Sequence, residues 1–133
     1  MDRDSLASRF ALNPPARRHD VEAVQSRISF ALPKAYLGFL LICNGLRSQG
    51  GLALHEIAAL PGRNDDYEVP TYLPGYFMIG DDSGGQAVLI DDAGRIFEVG
   101  MGVMSTECLE LSAHSLEDLL IAKEGLTLGE RSS

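Results

Sequence analysis

Long apolar runs, cysteines and basic residues are all scarce in this sequence. The apolar stretch from Ala35 to Cys43 covers nine residues. This is far fewer than the roughly 20 that cross a bilayer, so the stretch predicts a buried helix rather than a membrane span. The two cysteines are expected to be small buried hydrophobic residues, because Cys43 lies in that helix and Cys108 in a strand-like run.

The shortage of basic residues gives the chain an acidic balance. Eleven lysines and arginines stand against nineteen aspartates and glutamates, and the net charge is −8. Such a field repels phosphate backbones and anionic lipids, which argues against direct binding to nucleic acid or membranes and permits a basic protein partner. The alternative is that the acidity only keeps the protein soluble.

The N-terminal segment also lacks the features of a secretion signal. Its sequence, MDRDSLASRF, mixes acidic and basic residues and has neither an apolar centre nor a small-residue cleavage site. A cytoplasmic location is therefore expected.

Patterns that would indicate catalysis or metal binding are missing as well. The histidines His19, His55 and His114 are scattered without HxH or HExxH spacing, and no GxSxG motif occurs. The pairs Asp81-Asp82 and Asp91-Asp92 fall in predicted turns without the spacing of a calcium loop. The sequence therefore predicts a protein that is not an enzyme and holds no metal or cofactor, although a site assembled only by folding stays open.

What is present fits one globular domain. The chain has 133 residues, of which 45% are hydrophobic and 23% charged, so a single domain over residues 1–133 is expected. Residues 1–12 and 126–133 are predicted to be flexible ends.

Two helices are predicted near the N-terminus. The first follows Asp20 as its N-cap, with Val21, Val24 and Ile28 at helical spacing. The second runs from Pro33 to Cys43 or Asn44, because proline suits the first turn of a helix. Gly45 is expected to end it in the left-handed conformation that glycine adopts without steric cost.

Short strands dominate the second half of the predicted fold. Strand patterns cover residues 52–54, 77–80, 86–90, 95–99 and 107–111, a single helical turn is expected at 55–60, and residues 63–76 are expected to be irregular and exposed. A last helix follows Ser115. This order predicts an α+β fold, with a mostly antiparallel sheet of about four to six strands packed against N-terminal and C-terminal helices.

Two motifs in combination resemble a known family. The first is LPxxYxxFLxxxNG from Leu32 to Gly45, preceded by Asn13-Pro14-Pro15 and a helix, and the second is FxxGDDSGG from Phe77 to Gly85. Together they resemble the SMI1/KNR4, or SUKH, superfamily over about residues 12–124. One departure is Gln25, where such proteins often carry a glutamate. The residues that carry the motifs, all expected to be structural, are Leu32, Pro33, Tyr36, Phe39, Asn44, Gly45, Gly80, Gly84 and Gly85.

The resemblance implies an α+β domain without catalytic activity. In bacteria such domains are typically immunity proteins that bind and neutralise toxins, often nucleases, and a fungal relative regulates cell-wall synthesis. The leading hypothesis is therefore an immunity protein that binds a basic toxin domain and occludes its active site. An intracellular regulatory or scaffolding domain is the first alternative, and a small-molecule or metal-binding protein is the second. The candidate partner-binding residues, all acidic and in predicted loops, are Asp65, Asp66, Glu68, Asp81 and Asp82.

Overall fold

The computed structural model describes residues 1–132 and contains one antiparallel sheet. Its seven strands are arranged in sequence order, each hydrogen-bonded to the next. The α+β class is confirmed, but the predicted number of four to six strands is too low, because three of the strands contain only two residues and show no alternation. The strands are β1 (Ala11–Leu12), β2 (Leu46–Arg47), β3 (Ala53–Leu54), β4 (Tyr76–Asp81), β5 (Gln86–Asp91), β6 (Ile96–Gly100) and β7 (Glu110–Ala113).

Within residues 1–132, six α-helices and three other helical segments connect or flank these strands. Single 3₁₀ turns lie at Ile57–Ala59 and Thr106–Cys108, and a π-helical segment lies at Asp118–Ala122. The α-helices are α1 (Arg3–Ala7), α2 (Arg18–Arg27), α3 (Lys34–Ile42), α4 (Leu60–Asp66), α5 (Val69–Tyr72) and α6 (Leu128–Arg131).

Strand β5 has apolar side chains on both faces of the sheet, as the run at 87–90 predicts. Val88 and Ile90 belong to the larger core, which also contains the buried residues of α2 and α3. Leu89 belongs to a smaller core on the other face, with Val69 and Leu73 from α5 and its C-terminal end. Consecutive side chains of a strand point to opposite faces, so both layers follow from the strand pattern.

Helix α3 has the predicted position but does not end as expected. Pro33 precedes its first residue, and Tyr36, Phe39 and Leu40 are buried. The chain leaves the helix in an extended conformation at Cys43, with φ −155° and ψ 141°. The prediction that Gly45 caps the helix is therefore wrong.

Gly45 serves the packing of the chain that follows the helix. Its φ is +93°, and a Cβ at this position would overlap the carbonyl oxygen of Leu54 and lie 2.9 Å from the carbonyl carbon of His55. The neighbouring Asn44 accepts a hydrogen bond from the amide of Ile57 through its Oδ1 at 2.8 Å. The Asn-Gly pair thus holds the start of β2 against β3 and the 3₁₀ turn.

Helix α2 begins earlier than predicted. Arg17 is its N-cap and Asp20 lies inside the first turn, where the Asp20 carboxylate pairs with Arg17 at 3.1 Å. An acidic residue in the first turn is favourable for the helix dipole without being the cap. Val21 and Val24 are buried as predicted.

The region expected to be irregular, residues 63–76, forms most of α4 and all of α5. Asn64, Val69 and Leu73 are buried there. Both helices carry a proline in the first turn, where a missing amide hydrogen has no intrahelical partner to lose. The prolines therefore lie in the first turns of helices, where the sequence predicts irregular chain.

The C-terminal half differs in smaller ways from the prediction. The strand expected at 107–111 is a 3₁₀ turn at Thr106–Cys108 followed by β7 at Glu110–Ala113. Cys108 is consequently exposed, which corrects its prediction as a buried residue. Cys43 is buried as expected, and its burial raises the pKa of its thiol to about 11.

Both ends that are predicted to be flexible contain helices. Asp2 caps α1 through a hydrogen bond from the amide of Ser5 at 2.8 Å, and Leu6 is fully buried. Thr127 and Glu130 form a capping box at α6. The flexibility of the ends and the single-domain boundaries remain predictions.

A buried carboxylate fixes helix α6 to the sheet. Glu98 on β6 is only 3% exposed, and its Oε2 accepts hydrogen bonds from the Ser112 hydroxyl at 2.7 Å and the Leu128 amide at 2.9 Å. Arg131 donates to the same Ser112 hydroxyl at 2.6 Å. Burial raises the pKa of Glu98 above its ordinary value, while these hydrogen bonds and the charge of Arg131 oppose the shift.

We expect Glu98 to make stability depend on pH. Because the pKa of Glu98 is raised in the folded state, its favourable contribution is complete below the ordinary glutamate pKa and is lost as the pH rises through the raised value. Glu98→Gln keeps an acceptor for Ser112 and Leu128 but does not titrate. Urea melts should therefore show wild type losing stability relative to this variant as the pH rises above the ordinary glutamate pKa of about 4.3. A constant difference would contradict the expectation.

Candidate protein-binding surface

Three of the five predicted binding residues lie together where α4 meets α5. Asp65 and Asp66 are the last residues of α4, and Glu68 precedes α5. All three are exposed, and the ion pairs within residues 1–132 are formed by other carboxylates. Their charges are thus available to a partner.

Glu68 is held in place by an unusual backbone conformation. Its φ is +55°, in the left-handed region, and its carbonyl accepts the amide hydrogens of Thr71 at 3.1 Å and Tyr72 at 3.0 Å. This residue separates the two helices, and its side chain lines the same groove as Asp66.

An open groove of about 560 Å³ is lined by two of these acids, Asp66 and Glu68. One wall comes from the α4–α5 junction and the other from the loop that follows β6. Four of its lining residues are acidic or small: Asp66, Glu68, Gly102 and Ser105. The other six are aromatic, aliphatic or sulfur-containing: Tyr67, Tyr72, Met101, Val103, Met104 and Cys108.

Two of the apolar lining residues are strongly exposed. Tyr72 is 53% and Val103 is 54% exposed, whereas Met101 and Met104 pack partly against the smaller core. The loop is attached to the sheet by hydrogen bonds from the Met101 amide to the Gly85 carbonyl at 2.8 Å and from the Val103 amide to the Gly100 carbonyl at 3.0 Å. The groove therefore has an anchored floor and an apolar, solvent-facing rim.

The other two predicted binding residues are engaged inside the protein. The Asp81 side chain is 13% exposed and lies 2.7 Å from Nε2 of His55 and 3.6 Å from the Arg63 guanidinium. Asp82 accepts the amide hydrogens of Gly84 at 2.7 Å and Gln86 at 2.9 Å through one oxygen. These contacts stabilise the β4–β5 turn, so Asp81 and Asp82 are less available than the three acids near α5.

A second recess lies on the other side of α4. Its volume is about 510 Å³, and Asp65 contributes to its lining. Phe30 and Phe77, which also line it, stack with ring centroids 5.5 Å apart. Asp65 thus lines this recess, while Asp66 and Glu68 line the groove beside α5.

None of the motif residues lines the groove, and each supports the fold. Gly80 has no room for a Cβ, which would overlap the backbone of Ala53, and Gly85 has a φ of +98°. Gly84 donates its amide hydrogen to Asp82. Leu32, Tyr36 and Phe39 belong to the larger core.

Gln25 also supports the fold. Its Oε1 accepts the amide hydrogen of Leu32 and its Nε2 donates to the carbonyl of Phe30, both at 2.8 Å. The side chain therefore fixes the connection between α2 and α3. A glutamate here would accept from Leu32 but, when ionised, would have no hydrogen to donate to Phe30.

Two further features of residues 1–132 bear on metal binding and membrane insertion. No group of three or more histidine, cysteine, aspartate or glutamate residues is placed to hold a metal ion in this part of the chain. Within the same residues, no helix combines the length and apolar character needed to cross a membrane.

The sheet, its two covering layers and the open acidic groove define an α+β domain with a surface suited to protein contacts. The chain belongs to the SMI1/KNR4 family (SUKH-1), whose family model matches residues 15–122. This family consists in general of non-catalytic binding and immunity proteins. A search of curated proteins found no match.

Proposed function

We propose that the protein is a non-enzymatic immunity protein that binds and neutralises a toxin in the cytoplasm. The partner would be a basic toxin domain, such as a nuclease, of a bacterial toxin system. Binding would occlude the toxin's active site, with carboxylates occupying the space of the nucleic-acid phosphates. Membership of a family of binding and immunity proteins supports this class of function.

The observation that carries the proposal is the set of unpaired acids at the α4–α5 junction, two of which line the open groove. Asp65, Asp66 and Glu68 are exposed and form no ion pair among residues 1–132. Carboxylates without an internal partner add attraction to a basic protein without first breaking an existing contact. The net charge of −8 adds a long-range attraction that accelerates association.

Asp81 and Asp82 stay secondary candidates. A partner that used them would compete with His55, Arg63 and the turn amides. A regulatory or scaffolding domain that binds a basic cellular protein could use the same surface and is the alternative function.

Charge reversal at the three acids is expected to slow association with the partner. We expect the combined substitutions Asp65→Lys, Asp66→Lys and Glu68→Lys to slow association with the polypeptide encoded beside this gene by roughly tenfold or more. The thermal melt should change little, because exposed unpaired charges contribute at most about 0.5 kcal/mol each to stability. Stopped-flow association at low and high salt is the measurement, and screening should reduce the wild-type rate.

A matched variant separates local contact from total charge. Asp4, Glu22 and Glu124 are exposed and lie outside the groove. Their reversal to lysine changes the net charge equally and should slow association much less. Equal slowing by both triple variants would remove the α4–α5 junction as the binding site, and only the general field would remain.

A further inference from the structure

We propose that the groove beside α5 receives a large apolar side chain from the partner, flanked by lysine or arginine in the partner chain. This rests on the proposed function only in that the partner is a basic protein, whether or not that protein is a toxin. The acids would steer and orient the partner. The groove would supply most of the affinity.

The exposed apolar residues support this division of roles. Tyr72 and Val103, each more than half exposed, lie in one groove. Exposed ion pairs contribute little to affinity, whereas a few buried aromatic or aliphatic anchors carry most of the energy of protein interfaces. An apolar side chain placed between Tyr72 and Val103 would remove apolar surface of both partners from water.

The dimensions and the lining fit such an anchor. The volume of about 560 Å³ lies within the range of roughly 300–1,000 Å³ found for ligand pockets. Met101 and Met104 are flexible and polarizable, so they can adapt to an aromatic ring. Val103 lies against Gly100, because a Cβ on residue 100 would come within 2.9 Å of the Cγ2 atom of Val103. Glycine at position 100 therefore lets Val103 pack close to the end of β6.

Charge complementarity selects the occupant. Asp66 and Glu68 line the same groove as the apolar residues, so an inserted side chain would bring its sequence neighbours close to two carboxylates. Lysine or arginine at those neighbouring positions is favoured. A second copy of this chain, with its own net charge of −8, would be repelled, and so would an anionic membrane.

Methionine methyl groups provide built-in reporters for the test. The chain has four methionines: Met101 and Met104 line the groove, Met78 is buried in the smaller core, and Met1 lies in the N-terminal segment. Protein labelled with ¹³C at these methyls would be titrated with the blocked peptide Lys-Arg-Phe-Lys-Arg. Two control peptides replace phenylalanine by serine, or the four basic residues by glutamate.

We expect the Met101 and Met104 signals to shift with the phenylalanine peptide while Met1 stays unchanged. The serine peptide should bind more weakly by a factor of roughly ten or more, and the glutamate peptide should not bind. Tyr72→Ala should weaken binding of the phenylalanine peptide by a similar factor. Leu111→Ala, which truncates an exposed apolar residue outside the groove, should leave binding unchanged.

Three results would overturn the inference: equal binding of the phenylalanine and serine peptides, shifts that spare Met101 and Met104, or no shift at millimolar peptide. Because the peptides contain no toxin, the outcome is independent of immunity. Peptide binding without protection from a toxin would contradict the proposed function alone. Protection without peptide binding would contradict the groove alone.

Discussion

The variant Gly45→Val is expected to lower the free energy of unfolding by about 2–5 kcal/mol. The φ of +93° at this position is unfavourable for any β-branched residue. In addition, a Cβ would overlap the carbonyl oxygen of Leu54, so β2 and β3 would have to separate. Two costs therefore add at one residue, and urea denaturation of the variant measures their sum.

Gly38 provides the matched control within the preceding helix. It is exposed in α3, and a Cβ there would meet nothing within 4 Å. Gly38→Ala should therefore stabilise the protein by about 0.5–1 kcal/mol, the ordinary helix preference for alanine. An unchanged urea midpoint for Gly45→Val would show that the close approach of Gly45 to Leu54 is not needed for the fold.

The variant Asn64→Ala should lower the free energy of unfolding by about 2–4 kcal/mol. Asn64 is 3% exposed, and its amide group pairs with both backbone groups of Met78: its Oδ1 accepts from the amide at 2.8 Å, and its Nδ2 donates to the carbonyl at 3.0 Å. It donates to the Leu60 carbonyl at 2.9 Å as well. The side chain thus acts as an extra strand residue beside β4.

Loss of Asn64 would leave buried backbone groups without partners, which costs more than the loss of an exposed hydrogen bond. Asp65→Asn is the adjacent control, because Asp65 is exposed; its effect should stay within about 0.5 kcal/mol. Thermal or urea melts of both variants decide the question. Similar midpoints for the two would mean that Asn64 does not connect α4 to the sheet.

The elements that sequence predicts best are those with strong local signals. Helix α3 combines a proline at its start with a long apolar run, and β4 to β6 alternate with turn residues such as Gly94. These signals act within a few residues, so no knowledge of the fold is needed to interpret them. The end of α3 is different, because the role of Gly45 depends on the backbone of Leu54, which is distant in sequence.

The elements that sequence misses depend on tertiary contacts. Strands β1 to β3 contain two residues each and exist because they pair with one another and with β4. Helices α4 and α5 contain only seven and four residues, and Asn64 connects α4 to the sheet through its contacts with Met78, which is distant in sequence. A proline in each first turn suggests an irregular loop unless the position within the helix is known.

The candidate site was visible only in part. Three signals from the sequence, namely net charge, composition and position in predicted loops, select Asp65, Asp66 and Glu68, which are exposed in the structure. They do not separate these residues from Asp81, whose partner His55 comes from a different part of the chain. The groove was missed altogether, because Tyr72 and Val103 come to line one surface only after folding.

Protection of cells from any toxin encoded beside this gene tests the central claim most directly. The claim predicts that wild-type protein restores growth and co-purifies with that toxin one to one. The variant with lysine at positions 65, 66 and 68 should do neither, despite a nearly unchanged melt, while the variant with lysine at positions 4, 22 and 124 should protect fully. Full protection by the first variant would contradict the proposed surface, and failure of the wild type to protect or to form a complex would contradict the immunity function.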